Sequence, residues 1–285
     1  MKPHFNRVTI IGVGLLGASL GLAMKARRLA AHVVGVGHRM ITLDTALARR
    51  AIDEASLDAA AAVKDADLVV LCTPVVRLIG LLDAIRPYCT REAVVTDVGS
   101  TKAALCAHAV RTWPTPRRFV GSHPMAGSEK FGPEHADADF YAGSVCLVET
   151  GPDLDTAARE VVVALWRAVD ARVVDIDPAL HDEVLAHTSH LPHVVASALA
   201  RTAARHGKAP DLVGKGFHDT TRIADSRPEI WSEICLTNRE AILAALAECQ
   251  GNLEQFRAAL AAEDGPALER LFEEGRAARR RVIEG

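Results

Sequence analysis

Aromatic residues are scarce in this chain. They make up 4% of its 285 residues, against 49% apolar residues overall, so any core is an aliphatic one. Charge of one sign is also missing: a net charge of −3 gives no basic surface for a nucleic-acid backbone. The six cysteines (Cys72, Cys89, Cys106, Cys146, Cys235, Cys249) include no Cys-x-x-Cys pair. That argues against a disulfide framework or a zinc site and fits reduced thiols in a cytoplasmic protein. No segment reaches the roughly 20 consecutive apolar residues of a membrane span. Lys2 and Arg7 ahead of the apolar stretch 8–24 imitate a signal peptide, but three glycines interrupt it. Low-complexity linkers, internal repeats and metal-ligand spacings are absent as well. The C-terminal arginines (Arg276, Arg279, Arg280, Arg281) read as the end of a solvated helix, where cations complement the dipole.

What remains is a pattern of two halves. Up to about residue 150, short Val/Ile/Leu runs alternate with helical stretches: strands over 7–12, 33–36, 66–72, 93–97, 119–121 and 145–149, helices over 15–28, 41–51, 76–85 and 102–109. Continuous rather than alternating apolar runs indicate a parallel sheet covered on both faces, hence an α/β, Rossmann-type, doubly wound fold. Beyond about Pro178 the chain is Ala/Leu-rich, with helical periodicity over 181–205, 228–260 and 265–282. The expected organisation is a dinucleotide-binding domain over 1–175 and an all-α substrate and dimerisation domain over 176–285. Such helices bury their apolar stripe against a second copy.

Val8-Thr9-Ile10-Ile11-Gly12-Val13-Gly14-Leu15-Leu16-Gly17 fits the dinucleotide fingerprint. Gly12 permits the tight turn, Gly14 lets backbone approach the pyrophosphate, and Gly17 lets helix pack on strand. Leu15 and Leu16 open the helix whose free amides face the phosphates. The second strand runs Val34-Gly35-Val36-Gly37-His38-Arg39, with glycine where an NAD enzyme places an acid for the ribose hydroxyls. A guanidinium at Arg39, beside His38, suits a 2′-phosphate, so NADP is favoured over NAD. The plainer reading makes Arg39 a solvated helix-start residue. Thr73, Pro74 and Val75 follow another strand and should border the nicotinamide. Ser100, in Asp97-Val98-Gly99-Ser100-Thr101-Lys102, is placed to bond both a substrate and a catalytic histidine, and is equally a helix N-cap.

That histidine is His123, in Gly121-Ser122-His123-Pro124-Met125-Ala126-Gly127-Ser128-Glu129. Its small neighbours suggest a catalytic turn, and an imidazole titrating near neutrality suits a general base. Together with Thr188-Ser189-His190-Leu191-Pro192-His193 and Gly216-Phe217-His218-Asp219-Thr220-Thr221-Arg222, these segments resemble the prephenate/arogenate dehydrogenase family of tyrosine biosynthesis, in family order, over about residues 7–260.

The resemblance implies a mechanism. His123 takes the ring C4 hydroxyl proton of prephenate while hydride passes to the nicotinamide, and carbon dioxide leaves C1 to give 4-hydroxyphenylpyruvate. Ser100 orients His123; Ser122 and His193 line the substrate pocket; Arg222 binds the ring carboxylate and joins an ionic network with Glu129 and Asp219. Trp231 reaches the active site of the neighbouring subunit in a homodimer. His218 stands where arogenate-selective members often carry an acid, which favours prephenate over arogenate. Plainer readings accompany each role. His190 and His193 also suit satisfied core histidines, Arg222 a pair with Asp219 or Asp225, and Trp231 ordinary core; His32, His108, His135, His181, His187 and His206 suggest no role. No separate regulatory domain or chorismate mutase segment is expected. The rival readings are a β-hydroxyacid dehydrogenase or imine reductase, with Lys102 or Lys215 as the working residue, and a nicotinamide-sensing protein without turnover.

Overall fold

The computed structural model describes residues 4–128 and 130–284. Strand β1 (Phe5–Ile11) leads through the glycine loop into helix α1 (Leu15–Ala26), and β2 (Ala30–Val36) into α2 (Met40–Ala48). A short β3 (Glu54–Ser56) and α3 (Ala59–Ala62) precede β4 (Leu68–Leu71), α4 (Leu78–Ile85), β5 (Val94–Asp97), α5 (Ala103–Thr112) and β6 (Phe119–Val120). These six strands form one parallel sheet in the order β3-β2-β1-β4-β5-β6. Strand order reverses between β1 and β4, and it is outside the carboxyl ends at such a switch that α/β sheets bind ligands.

Alternating side chains of each strand feed two cores. Val8, Ile10 and Val33 pack on one face with Met24, Leu29 and Leu43 of the α1 and α2 segments. Ile11, Val34, Val69 and Leu71 pack on the other with Leu78, Leu82, Ile85 and Leu105. A fully buried Leu or Ile contributes about 1.5–3 kcal/mol, which makes this two-sided aliphatic burial the main support of the sheet.

A second sheet was not foreseen. Strands β7 (Ser122–Pro124), β8 (Val145–Glu149) and, after helix α6 (Thr156–Ala168), β9 (Arg172–Ile176) form a separate three-stranded sheet. Its β7–β8 pair is antiparallel and places His123 opposite Leu147. The expected strand 119–121 therefore divides at Gly121, whose N–H bonds Glu149 Oε2 at 2.8 Å. Glu149 in turn receives two guanidinium bonds from the buried Arg117, at 2.7 and 3.0 Å. Charge-assisted bidentate pairing of this kind is strong and fixes geometry, here between β6 and β8.

From α7 (Pro178–Leu185) onward the chain is helical: α8 (Leu191–Ala203), α9 (Ala209–Leu212), α10 (Lys215–Thr221), α11 (Pro228–Thr237), α12 (Arg239–Ala261) and α13 (Gly265–Glu284). The expected helix over 181–205 is interrupted by one wide π turn, Ala186–His190, a form often found at functional sites. The stretch 228–260 breaks at Asn238, where a buried side-chain amide bonds Asp182 O at 2.7 Å.

The chain divides into two compact units, Met1–Asn238 and Arg239–Gly285. Helix α7 is bound to the sheet region through Asp182, and α11 through Thr237, whose hydroxyl accepts from Thr101 at 3.1 Å. In the second unit, α12 and α13 bring Phe256 and Phe272 edge to face, with centroids 5.2 Å apart. No helix among the described residues is long and apolar enough to cross a membrane.

Candidate active site

The glycine loop has the shape its three glycines require. Gly12 sits at φ +101°, and a Cβ there would lie 2.5 Å from Cys72 O; one on Gly17 would lie 2.1 Å from Gly12 O. Both positions are closed to any side chain. Gly14, the N-cap of α1, faces open space. That helix starts with no capping side chain and no acid in its first turn, so the amides around Leu15 and Leu16 are available to an anion. Across the switch point, the Thr73 hydroxyl is buried with no hydrogen-bond partner, beside Pro74 and Val75. An anion-ready helix end, a backbone approach that a Cβ would block and an orphaned hydroxyl fit a dinucleotide. His38 and Arg39 lie exposed at the carboxyl end of β2, Arg39 as the N-cap of α2 without a side-chain cap bond.

His123 belongs to a strand, not to the expected turn. It is 8% exposed, because β7 is clamped by β8 on one side and by the end of β5 on the other. Asp97 receives the Ser122 N–H on Oδ1 at 3.0 Å and the Gly99 N–H on Oδ2 at 2.8 Å. Its Oδ2 also pairs with the buried Lys102 ammonium. Burial, then the neighbouring His181, Lys102 and His190, hold the His123 pKa well below its usual value. The ring is therefore neutral at physiological pH, as a base requires.

Two expected partners of His123 are placed differently. The Ser122 hydroxyl is fully buried and saturated: it donates to Asp97 O at 2.6 Å, receives Trp166 Nε1–H at 3.0 Å and bonds Thr96 Oγ1 at 2.9 Å. It braces the strand and has no valence left for a substrate. Ser100 makes no hydrogen bond to His123; it is half-buried in the loop between β5 and α5. Nor does Ser100 cap α5, because Asp182 accepts the Lys102 and Ala103 N–H groups at 2.7 and 2.9 Å.

The residue that reaches His123 is His181, to which no role was given. Its Nε2 lies 2.9 Å from His123 Nδ1, and its Nδ1 lies 2.7 Å from Asp182 Oδ1. The adjacent His181-Asp182 pair opening a helix was the available sequence signal, but chain order alone does not put it beside residue 123.

Beyond these lies a row of rings. Buried His190 accepts from the Asn238 amide at 3.1 Å, and its pKa is lowered to about 4, chiefly by burial. Trp231 stands edge-on to His190 at 6.1 Å and stacks on His193 at 3.4 Å. Trp231 thus covers a histidine of its own chain, since α11 lies against α8. His193 donates from Nδ1 to Ser189 O at 2.9 Å, which leaves Nε2 for a ligand; burial is the main cause of its lowered pKa, and the Arg222 charge adds to it.

Arg222 follows α10 and is exposed, with no hydrogen bond or ion pair among the described residues. Asp219 and His218 are exposed on α10. The expected pair between Asp219 and Arg222 is absent: the helix ends between them, and a solvated pair gains little. Glu129, the other expected member of that network, lies outside the described residues. Burial, and then the Asp97 charge, push the Cys72 thiol far up, so no thiolate serves here.

A parallel sheet whose strand order reverses at a free helix end, in a chain with a neutral buried histidine, fits a nicotinamide-dependent dehydrogenase. The family model for the prephenate dehydrogenase nucleotide-binding domain matches residues 20–175, and that for its dimerization domain residues 177–274; the chain belongs to the prephenate dehydrogenase family. It is 31% identical to a prephenate dehydrogenase of Bacillus subtilis, over 95% of this chain and 75% of that one. It is 32% identical to a cyclohexadienyl dehydrogenase of Zymomonas mobilis, over 96% and 95%. The crystal structure of prephenate dehydrogenase from Aquifex aeolicus, in complex with hydroxyphenyl propionate and NAD+, superposes with a TM-score of 0.89 at 30% identity, covering 98% of each chain. The readings as a β-hydroxyacid dehydrogenase, an imine reductase or a non-catalytic sensor are thereby set aside.

Proposed function

We propose that this protein oxidises prephenate to 4-hydroxyphenylpyruvate and carbon dioxide, with NADP preferred to NAD. The observation that carries the reading is His123: a neutral, buried imidazole fixed on β7 beside the carboxyl end of β5, in a chain matched by both domains of the family. Gly12, Gly14, Gly17, the α1 amides and the Thr73 hydroxyl would hold a nicotinamide dinucleotide, which would supply the hydride acceptor. His123 Nε2 takes the proton of the ring hydroxyl. Arg222, with all its donors free, grips the ring carboxylate through its planar fork. Loss of that carboxylate as carbon dioxide leaves an aromatic ring, which drives the reaction forward. His193, held flat by Trp231, lines the pocket with its free Nε2, and Ser100, in the loop between β5 and α5, is assigned to the same substrate.

Substrate and cofactor preference follow from two exposed positions. His218 gives an ammonium group no counter-charge, which favours prephenate over arogenate. Arg39, with no acid beside Gly37, favours the 2′-phosphate of NADP. The exposed Leu253, Leu260, Phe272, Val282 and Ile283 of α12 and α13 suit burial against a second copy, and the free thiols suit a reducing cytoplasm.

Reduced nicotinamide is followed with prephenate and with arogenate, each with NADP and then NAD, for the protein and for His123→Asn. Turnover by the parent, with a loss of about 10²–10⁴-fold in the variant and unchanged dinucleotide affinity, is expected. Oxidation of arogenate in preference to prephenate, or an active variant, overturns the reading.

A further inference from the structure

The protonation site of His123 is decided outside its own ring. Asp182 accepts the Lys102 and Ala103 amides at the start of α5, at 2.7 and 2.9 Å. A carboxylate doing so is ionised and can only accept. Its Oδ1 lies 2.7 Å from His181 Nδ1, so His181 carries its proton there. A neutral imidazole protonated at Nδ1 has a lone pair at Nε2. That Nε2 lies 2.9 Å from His123 Nδ1, and the same logic then makes His123 the donor. The His123 proton sits on Nδ1, and its Nε2 is left as an open lone pair.

We propose that His181 and Asp182 are positioning residues that lock His123 in the Nδ1–H tautomer, so that Nε2 is always the basic nitrogen, and that they balance the charge the ring gains during turnover. In its substrate this rests on the reading above; the lock itself does not. The proton from the substrate hydroxyl moves to His123 Nε2, the ring then carries both N–H groups, and its single positive charge faces a His181–Asp182 unit of net charge −1. After product release the proton returns to water from the same nitrogen. Nothing else is consumed.

The surroundings favour this assignment. His181 is wholly buried, so water does not compete for its nitrogens. Asp182 is anchored a third time, by the Asn238 amide on its carbonyl, and so the acceptor cannot swing away. The other groups facing His123 are Lys102, already paired with Asp97, the buried His190 and the Cys146 thiol on β8. None of them is an acceptor for His123 Nδ1–H.

The test pairs His181→Leu with His181→Gln, whose side-chain oxygen can replace the lost acceptor. Leucine leaves the His123 Nδ1–H buried without a partner. Such an orphan costs about 1–3 kcal/mol, so kcat with prephenate should fall by about ten- to a hundredfold, while KM and NADP affinity stay within about twofold. Glutamine should restore most of kcat, and both variants should keep an acid limb in the pH profile. A leucine variant with kcat within about twofold of the parent, or a folded glutamine variant as impaired as leucine, overturns the lock. Nitrogen-15 histidine spectra of the resting protein read the tautomer directly. They need neither substrate nor a folded variant, and His123 protonated at Nε2 would also overturn it. A parent that ignores prephenate yet shows the Nδ1–H tautomer would refute the substrate reading and leave the lock standing.

Discussion

The glycine loop follows β1 of the parallel sheet and the histidine centre is built on β7, beside the end of β5, and the two are built in opposite ways. The loop works by what is missing: no Cβ on Gly12 or Gly17, no cap and no acid at the start of α1. The histidine centre works by saturation: Asp97, Ser122, His181, Asp182 and Asn238 are closed on one another or on backbone, and only His123 Nε2 is left open. Three residues within six positions specify the first. The second draws on β5, β7, α7 and the end of α11, so it exists only once the chain has folded.

Two substitutions in the loop itself bring out the largest effect. Gly12→Ala combines a left-handed φ with a Cβ placed 2.5 Å from Cys72 O. Strain and overpacking cost about 1–3 kcal/mol each, so a stability loss of about 2–6 kcal/mol is expected in urea unfolding, together with loss of dinucleotide binding. Gly14→Ala meets nothing within the fold and should unfold like the parent while binding the dinucleotide poorly. If both variants fail in the same way, the distinction between a packing glycine and a ligand-facing glycine is wrong.

The contrast also explains what could be read in advance. Periodicity and the glycine spacing gave the parallel sheet, the helical second half and the loop residues Gly12, Gly14 and Gly17, because each depends on near neighbours in sequence. They missed β3, an edge strand of only Glu54-Ala55-Ser56, and β9. They read His123 as part of a turn, since Ser122, Pro124 and Gly127 look like turn residues and the partner strand is more than twenty residues away. His181 was passed over for a related reason. Nothing in its neighbourhood announces that α7 docks onto α5 through Asp182. Ser100 was weighed by its loop at the end of a strand and Ser122 by its place in the histidine segment, whereas hydrogen-bond saturation, visible only in the fold, separates them.

Acid should strike the histidine centre and spare the loop, which holds no titratable side chain between Gly12 and Gly17. His190 is buried neutral, with its pKa lowered from 6.5 to about 4. A depressed histidine pKa means that the unfolded chain binds the extra proton first. The stability contribution is complete above the unfolded value and is lost as pH falls from 6.5 towards 4. From His190 alone, unfolding free energy should drop by about 2–3 kcal/mol between about pH 7 and pH 4.5; His123 and His193, lowered in the same direction, add to it. His190→Asn, whose side-chain oxygen can still accept from Asn238, should flatten that slope. An unchanged slope would mean that His190 takes up its proton in the folded protein as readily as in the unfolded chain.

The smallest effect tests the charged side chain proposed for the cofactor site. Arg39 is exposed, and no carboxylate is paired with it among the described residues. Its removal should therefore cost no stability. It stands one residue beyond His38 at the end of β2, where Gly37 leaves the ribose without an acidic partner. A charged hydrogen bond to a phosphate contributes about 1.5–3 kcal/mol, so Arg39→Ala should weaken NADP about ten- to a hundredfold in a binding titration. NAD lacks that phosphate, so its affinity should stay within about twofold. Equal losses for both dinucleotides would place Arg39 in the general architecture of the loop instead. The division between a backbone-built pyrophosphate site and a side-chain-built specificity site would then fail.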